Sequence, residues 1–337
     1  MVRLSILDQS PVRSGGTAAD AVRETLQLAE AAERLGYHRY WLAEHHSHSG
    51  LAGPSPEILV GQVAARTKGI RVGAGGIMLS HYSPLKVAEN FRVLETLYPG
   101  RIDLGIGRAP GADRLVSRAL ADGGRYFDVE NFPQKVSDLL GFLEGELEQG
   151  HSFERVRAMP EGPTAPETWL LGSSDQSAIL AAHFGCAFSF AHFINNYHGP
   201  QVMAVYRDNF KPSTRLEAPL GRIGVFVFCS EDEEEAHRHA ASRGLFFLRI
   251  RQGAQTGVPT PEEALSYPYT DAERTFAEET ISRTIAGTPD QVKERMLKLG
   301  EEFGADEFVV VNQCSDFQFR LRTYELLAEA FGLPPRS

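Results

Sequence analysis

Short apolar runs alternate with amphipathic stretches along almost the whole chain, and this alternation constrains the fold more than any other feature. Leu4 to Leu7 reads as a first strand, and a helix over about Ala18 to Leu35 follows, with Val22, Leu26, Ala29 and Ala32 recurring on one face. Thr17 with Asp20 is its capping signature, and Gly36 ends it. Tyr40 to Ala43 gives a second strand, and Ser55-Pro56 opens the next helix in a cap-then-proline pattern. The pattern repeats with Ile70 to Ala74, a helix opened by Ser83-Pro84, and Ile102 to Ile106. Further strands are expected at Trp169 to Leu171, Ala187 to Phe190, Ile223 to Cys229 and Phe308 to Asn312. Eight strands with helices between most of them is the count of a closed (β/α)8 TIM barrel, an α/β fold. Residues 1–337 are long enough to form it as one domain.

Two stretches break the rhythm. Residues 108–128 carry many Gly, Ala, Arg and Asp residues and read as a long loop over the site. Residues 251–272 are Pro-rich and aperiodic, which suggests a mobile lid on the functional rim, with a structureless segment of no role as the other reading. The acidic run EDEEEAH at 231–237 fits a helix N-terminus, where carboxylates favour the dipole.

Chemistry is expected where the second strand ends. In WLAEHH, residues 41–46, an apolar run stops abruptly at Glu44, His45 and His46, and parallel α/β folds build sites at such a rim. A solvated turn is the plainer reading. Zinc ligation by Glu44, His45, His46 and His48 is a third, although adjacent strand-end side chains diverge and no helical HExxH spacing is present.

Composition narrows the partners. A formal net charge of -10 argues against nucleic acid or an anionic membrane surface, both of which need clustered Lys and Arg. No run approaches membrane-spanning length, and the N-terminal MVRLSILDQS has no apolar signal-peptide core, so a cytoplasmic location is expected. Cys186, Cys229 and Cys314 are far apart, lack CxxC spacing and read as buried small hydrophobes in a reducing compartment.

Four ordered motifs carry a family resemblance: WLAEHH at 41–46, RVGAGGIML at 71–79, GRIDLGIGRAPG at 100–111 and LLGSSDQSAILAAHFG at 170–185. Together they resemble the luciferase-like flavin-dependent monooxygenases, the superfamily of bacterial luciferase, over nearly the whole chain from LDQSP at 7–11 through AGTPDQV at 286–292. The resemblance implies a (β/α)8 barrel with an insertion, whose C-terminal rim binds FMN as FMNH2 from a separate flavin reductase. It implies that O2 adds to the flavin C4a and that the peroxyflavin oxygenates a small organic substrate. His45 falls on the family's catalytic histidine, as acid/base or peroxide stabiliser, with Glu44 as the residue that orients it.

Gly75-Gly76 falls where luciferase has a non-proline cis peptide facing the ring, and a glycine bulge or tight strand exit is the alternative. Arg108 matches the phosphate-contacting arginine, whose planar fork suits a phosphate, and Ser173 and Ser174 match the residues on its other side. Ser174 also reads as a helix N-cap, a natural anion site, though capping serines without ligands are common. Gly107 departs from the pattern, since luciferase carries a reactive cysteine there; light emission and aldehyde specificity are thereby put in doubt. Relatives on this fold also use a deazaflavin, and a non-catalytic flavin-binding protein is a further alternative. GIGRAPG lacks GxGxxG spacing and an acidic ribose partner, which weakens a dinucleotide reading. The family also implies a homodimer through about Pro56 to Ala65 and Pro84 to Leu97. There Leu85, Val87, Ala88, Phe91, Val93 and Leu94 exceed one core-facing stripe, and Glu89 matches an interface glutamate. No metal is expected.

Overall fold

The computed structural model describes residues 2–109, 113–121 and 131–336. Its strands are β1 (Arg3–Asp8), β2 (Arg39–Leu42), β3 (Arg71–Met78), β4 (Ile102–Gly107), β5 (Glu167–Gly172), β6 (Ala187–Ala191), β7 (Gly221–Cys229), β8 (Thr284–Gly287) and β9 (Glu307–Val311). β1 to β7 pair in chain order, β9 follows β7, and β9 pairs back to β1, so eight parallel strands close into a barrel. The eight expected segments all overlap these ring strands. β8 was not expected: it lies outside the ring and pairs with the C-terminal half of β7, from Phe226 to Cys229. Four residues, TIAG, are too few to register as a periodic run.

Helices α1 (Ala18–Arg34), α2 (Pro56–Arg66) and α3 (Pro84–Leu97) follow the first three strands. Between β4 and β5 stand α4 (Arg114–Leu120) and α5 (Phe132–Glu144), and α6 (Asp175–His183) and α7 (Gly199–Asp208) follow β5 and β6. The β7 to β9 connection holds α8 (Glu233–Arg251), α9 (Pro261–Ser266), α10 (Asp271–Ser282) and α11 (Pro289–Phe303), and α12 (Phe317–Phe331) comes last. The Thr17 cap forms as its sequence implies, the hydroxyl accepting from the Asp20 N–H at 3.1 Å while Asp20 accepts from the Thr17 N–H at 3.0 Å. The buried stripe of α1 is centred on Ala21, Thr25, Leu28, Ala29 and Ala32, which leaves Val22 and Leu26 at its edge. Asp232 caps α8, and Glu233, Glu234 and Glu235 occupy its first turn, as the acidic run implies.

Two loop expectations need correction. Residues 113–120 of the long loop hold α4 with its Asp113 cap, while 110–112 and 122–128 lie outside the described residues. The 251–272 segment is not structureless, because α9 and the start of α10 fall inside it. Val258 is fully buried and exchanges backbone bonds of 2.7 and 2.8 Å with Val12 and Ser14, so the segment is fastened to the loop after β1. None of its residues lines the cavity described below.

The N-terminal end of the barrel is sealed by ions. The Arg222 guanidinium lies between the Trp41 and Trp169 rings, 3.5 and 3.7 Å from their centroids, and bonds Glu307 at 2.9 Å. Asp103 takes Arg39 and the Trp41 indole N–H, each at 2.8 Å. Burial alone would raise the Glu307 carboxyl, but Arg222 and Arg39 outweigh it and hold it at about 2. Such a layer contributes little stability over an apolar plug, but losing one partner would strand a buried charge. The opposite, C-terminal end stays open. On the outside, Val87, Ala88, Phe91 and Leu94 of α3 are spent on the barrel itself, leaving Ile58, Val93 and Leu97 as the exposed large apolar residues of α2 and α3.

Candidate active site

A cavity of about 680 Å³ opens at the C-terminal strand ends, in the size range of ligand sites. One wall is polar. Arg108, the first residue after β4, donates to Gln176 Oε1 at 2.9 Å across the mouth of the β5 to α6 turn. In that turn Ser177 Oγ donates to the Ser174 carbonyl at 2.6 Å and accepts the Ser174 N–H at 3.2 Å, while Asn195 Nδ2 holds the Ser173 carbonyl at 3.2 Å. A Cβ on Gly172 would fall 2.2 Å from Ser177 Oγ, so the hairpin turn from strand to helix needs glycine there. Ser173, Ser174 and the first turn of α6 thus face the cavity alongside Arg108. Helix N-termini carry N–H groups without intrahelical partners and a dipole that attracts anions.

The second wall comes from β2 and β3. Gly75 and Gly76 line it and are joined by a cis peptide. The fold itself requires glycine at both positions. A Cβ on Gly76 would meet the Gly105 carbonyl oxygen at 2.6 Å, and one on Gly75 would meet Trp41 and Leu7 at 2.6 and 2.8 Å. Gly107 differs: among the described residues, a Cβ there would approach nothing nearer than the Ile77 oxygen at 4.0 Å.

Of the three strand-end histidines beside it, only His45 lines the cavity. Its N–H donates to the Gly53 carbonyl at 3.0 Å, and its ring Nδ1 is buried with no partner among the described residues. Burial lowers the imidazole to about 4, with His48 and His46 adding repulsion, so the ring is neutral at pH 7. Glu44 does not orient it. The Glu44 carboxylate, 1% exposed, accepts the Met78 N–H at 2.9 Å and bonds Tyr82 Oη and His46 Nε2, each at 2.7 Å. It ties the exit of β2 to the exit of β3. Among the described residues, no three His, Cys, Asp or Glu side chains are arranged to hold a metal.

The third wall was not anticipated residue by residue. Phe190, Phe193 and Ile194 at the end of β6, with Gly224 of β7 and Val309 of β9, make it apolar, and Gln9 after β1 completes it. The Phe193 ring lies 2.8 Å from where a Gly224 Cβ would stand, so glycine at 224 makes room for the aromatic. A usable signal was the continuation of FSFAHFI past the strand end, since apolar residues persist there without a strand to bury them.

Fold and site define a class that comparison bears out. The chain belongs to the luciferase-like monooxygenases: a family model described as "Luciferase-like monooxygenase" matches residues 2–307. It is 47% identical over 333 residues to the uncharacterized protein YwcH of Bacillus subtilis, covering 98% of this chain and 100% of that one. It is 37% identical over 332 residues to the N-acetyl-S-alkylcysteine monooxygenase of the same organism, covering 98% of each chain. The structure of apo-MsnO8 superposes with a TM-score of 0.91 at 40% identity, covering 100% of both chains. At 20% and 15% identity, the oxygenating constituent of 3,6-diketocamphane monooxygenase from Pseudomonas putida, in complex with FMN, and an F420-dependent secondary alcohol dehydrogenase share the fold, with TM-scores of 0.70 and 0.67. They cover 98% of this chain, and 97% and 98% of their own.

Proposed function

We propose that the chain is a two-component monooxygenase, which takes reduced FMN from a separate flavin reductase and uses O2 to oxygenate a small organic substrate. The observation that carries this reading is the convergence on one cavity of an arginine, a helix N-terminus and a neutral, unpaired histidine. These residues fit FMN: Arg108 and the Ser173-Ser174 turn suit the phosphate, and Gly75, Gly76 and His45 lie along the same cavity. Bound reduced flavin would supply the electrons and the C4a carbon at which O2 is activated. Arg108 would pair with phosphate oxygens and set how deep the cofactor sits. His45, neutral at pH 7, could accept or share a proton through Nδ1 at the reacting end. The apolar wall from β6, β7 and β9 would keep water from the reactive centre.

Among the described residues no helix is long and apolar enough to cross a membrane, and the three buried cysteines are free, in keeping with the cytoplasm as its compartment. Ile58, Val93 and Leu97 offer an apolar face for the homodimer that the family implies. The test is anaerobic titration with FMNH2 and with reduced deazaflavin in parallel, followed by 18O2 and a substrate panel that starts with thioethers, given the relative named for S-alkylcysteines. Incorporation of one 18O atom per FMNH2 consumed is expected. Preference for the deazaflavin would favour hydride transfer, and FMNH2 binding without turnover of any compound would favour a non-catalytic flavin carrier.

A further inference from the structure

Among the described residues, Gln9 is the one polar side chain on the apolar wall with no hydrogen bond inside the fold. It is 9% exposed, it lines the cavity, and its Oε1 is buried without a hydrogen-bond partner among the described residues. Its neighbours are fully engaged: Asp8 takes Arg320 at 2.6 Å and the Ser10 N–H at 2.7 Å, and Ser10 Oγ accepts from Thr25 at 3.0 Å. A buried primary amide left unsatisfied costs about 1–3 kcal/mol, so it persists where a ligand completes it. Its oxygen and nitrogen are interchangeable by rotation, which lets the amide present a donor and an acceptor side by side.

We propose that Gln9 is the polar anchor for the organic substrate, and that this substrate is a neutral molecule bearing an amide or ketone group on an otherwise apolar body. The inference rests on the flavin reading above, because that reading assigns Arg108 and the α6 N-terminus to phosphate. What then remains for substrate is the surface from β1, β6, β7 and β9, namely Phe190, Phe193, Ile194, Gly224 and Val309 around Gln9. Among the described residues this surface carries no charged side chain, so an ionised substrate group would lose its hydration without a counter-ion. A primary amide matches the Gln9 side chain with two reciprocal bonds, and a secondary amide or a ketone matches it with one.

The test is calorimetric titration of the protein, loaded with oxidised FMN to prevent turnover, with N-butylacetamide and with hexanoate. These share a short alkyl body and differ in a neutral amide against a carboxylate. N-butylacetamide is expected to bind at least tenfold more tightly than hexanoate. Gln9→Leu and Gln9→Asn should each weaken it at least tenfold, with FMN affinity within twofold of the parent and unchanged circular dichroism. Equal binding of N-butylacetamide by the parent and by a folded Gln9 variant, no binding by the parent, or tighter binding of hexanoate would overturn the proposal. Should the parent not hold oxidised FMN, the same titration on the cofactor-free chain still decides the role of Gln9, while the flavin reading stands or falls separately by the anaerobic FMNH2 titration.

Discussion

Replacing Glu44 separates a structural from a catalytic role for the acidic residue in WLAEHH. Its carboxylate is 1% exposed and meets three groups: the Met78 N–H, the Tyr82 hydroxyl and the His46 ring. Hydrogen bonds to a charged group contribute about 1.5–3 kcal/mol each, and a buried donor left unpaired costs about 1–3 kcal/mol. Tyr82 and the largely buried His46 ring keep some exposure and can turn to water, so the Met78 N–H dominates. Glu44→Ala should therefore destabilise the fold by about 2–4 kcal/mol, the lost bond to the Met78 N–H plus a smaller share from the other two donors. Glu44→Gln, which keeps one acceptor oxygen and sets an NH2 against the remaining donors, should cost about 1–3 kcal/mol. Urea unfolding with the slope held common to the variants gives these differences directly. Because Met78 follows Gly75 and Gly76 on β3, FMN affinity should fall alongside stability. A loss below about 1 kcal/mol in Glu44→Ala, the threshold of an ordinary surface change, would refute the view that this carboxylate ties β2 to β3.

His45→Ala should leave FMN binding intact and lower the rate of substrate oxygenation about a hundredfold or more, the contribution of a positioned proton-transfer group; normal turnover at saturating FMNH2 would return this histidine to a structural role. Stability should fall as the pH drops from about 6.5 to about 4. Burial, aided by His48 and His46 around His45 and by Arg39 beside His38, lowers both imidazoles to about 4 in the folded chain, so between these values the unfolded chain binds more protons. His45 contributes at most about 3 kcal/mol over that window, and the less buried His38 contributes less. Urea midpoints at pH 7.5 and pH 5 should differ, by less in His45→Gln than in the parent, and equal midpoints would contradict the burial of both rings.

The ring strands were legible because each is a short, mostly apolar stretch set between amphipathic helices or turn residues, which local sequence records. β8 and α9 were not, since four and six residues held by contacts with β7 and α8 leave no period of their own. Arg222 looked like an ordinary polar residue before a strand, yet it fills the barrel between two tryptophans. Its bonded partners Ser189 and Glu307 lie 33 and 85 residues away in sequence, beyond any local pattern. In the site, His45, Arg108 and the glycine pair stood out through motifs, and the structure gathers them at one cavity. The partners of Glu44 did not, because a carboxylate beside a histidine in sequence points away from it once adjacent strand-end residues diverge. Gln9 sat in a quoted motif without a role, and only the unpaired state of its amide in three dimensions gives it one.

The most direct test of flavin binding in this cavity is anaerobic fluorescence titration of FMNH2 into the parent chain and Arg108→Ala at fixed ionic strength. The parent should saturate at one FMNH2 per chain. Losing a charge-assisted phosphate contact should weaken the variant by about 1.5–3 kcal/mol, or about ten- to a hundredfold in Kd. No saturable binding by the parent, or equal affinity in the two, would contradict the placement of the cofactor between Arg108 and the start of α6.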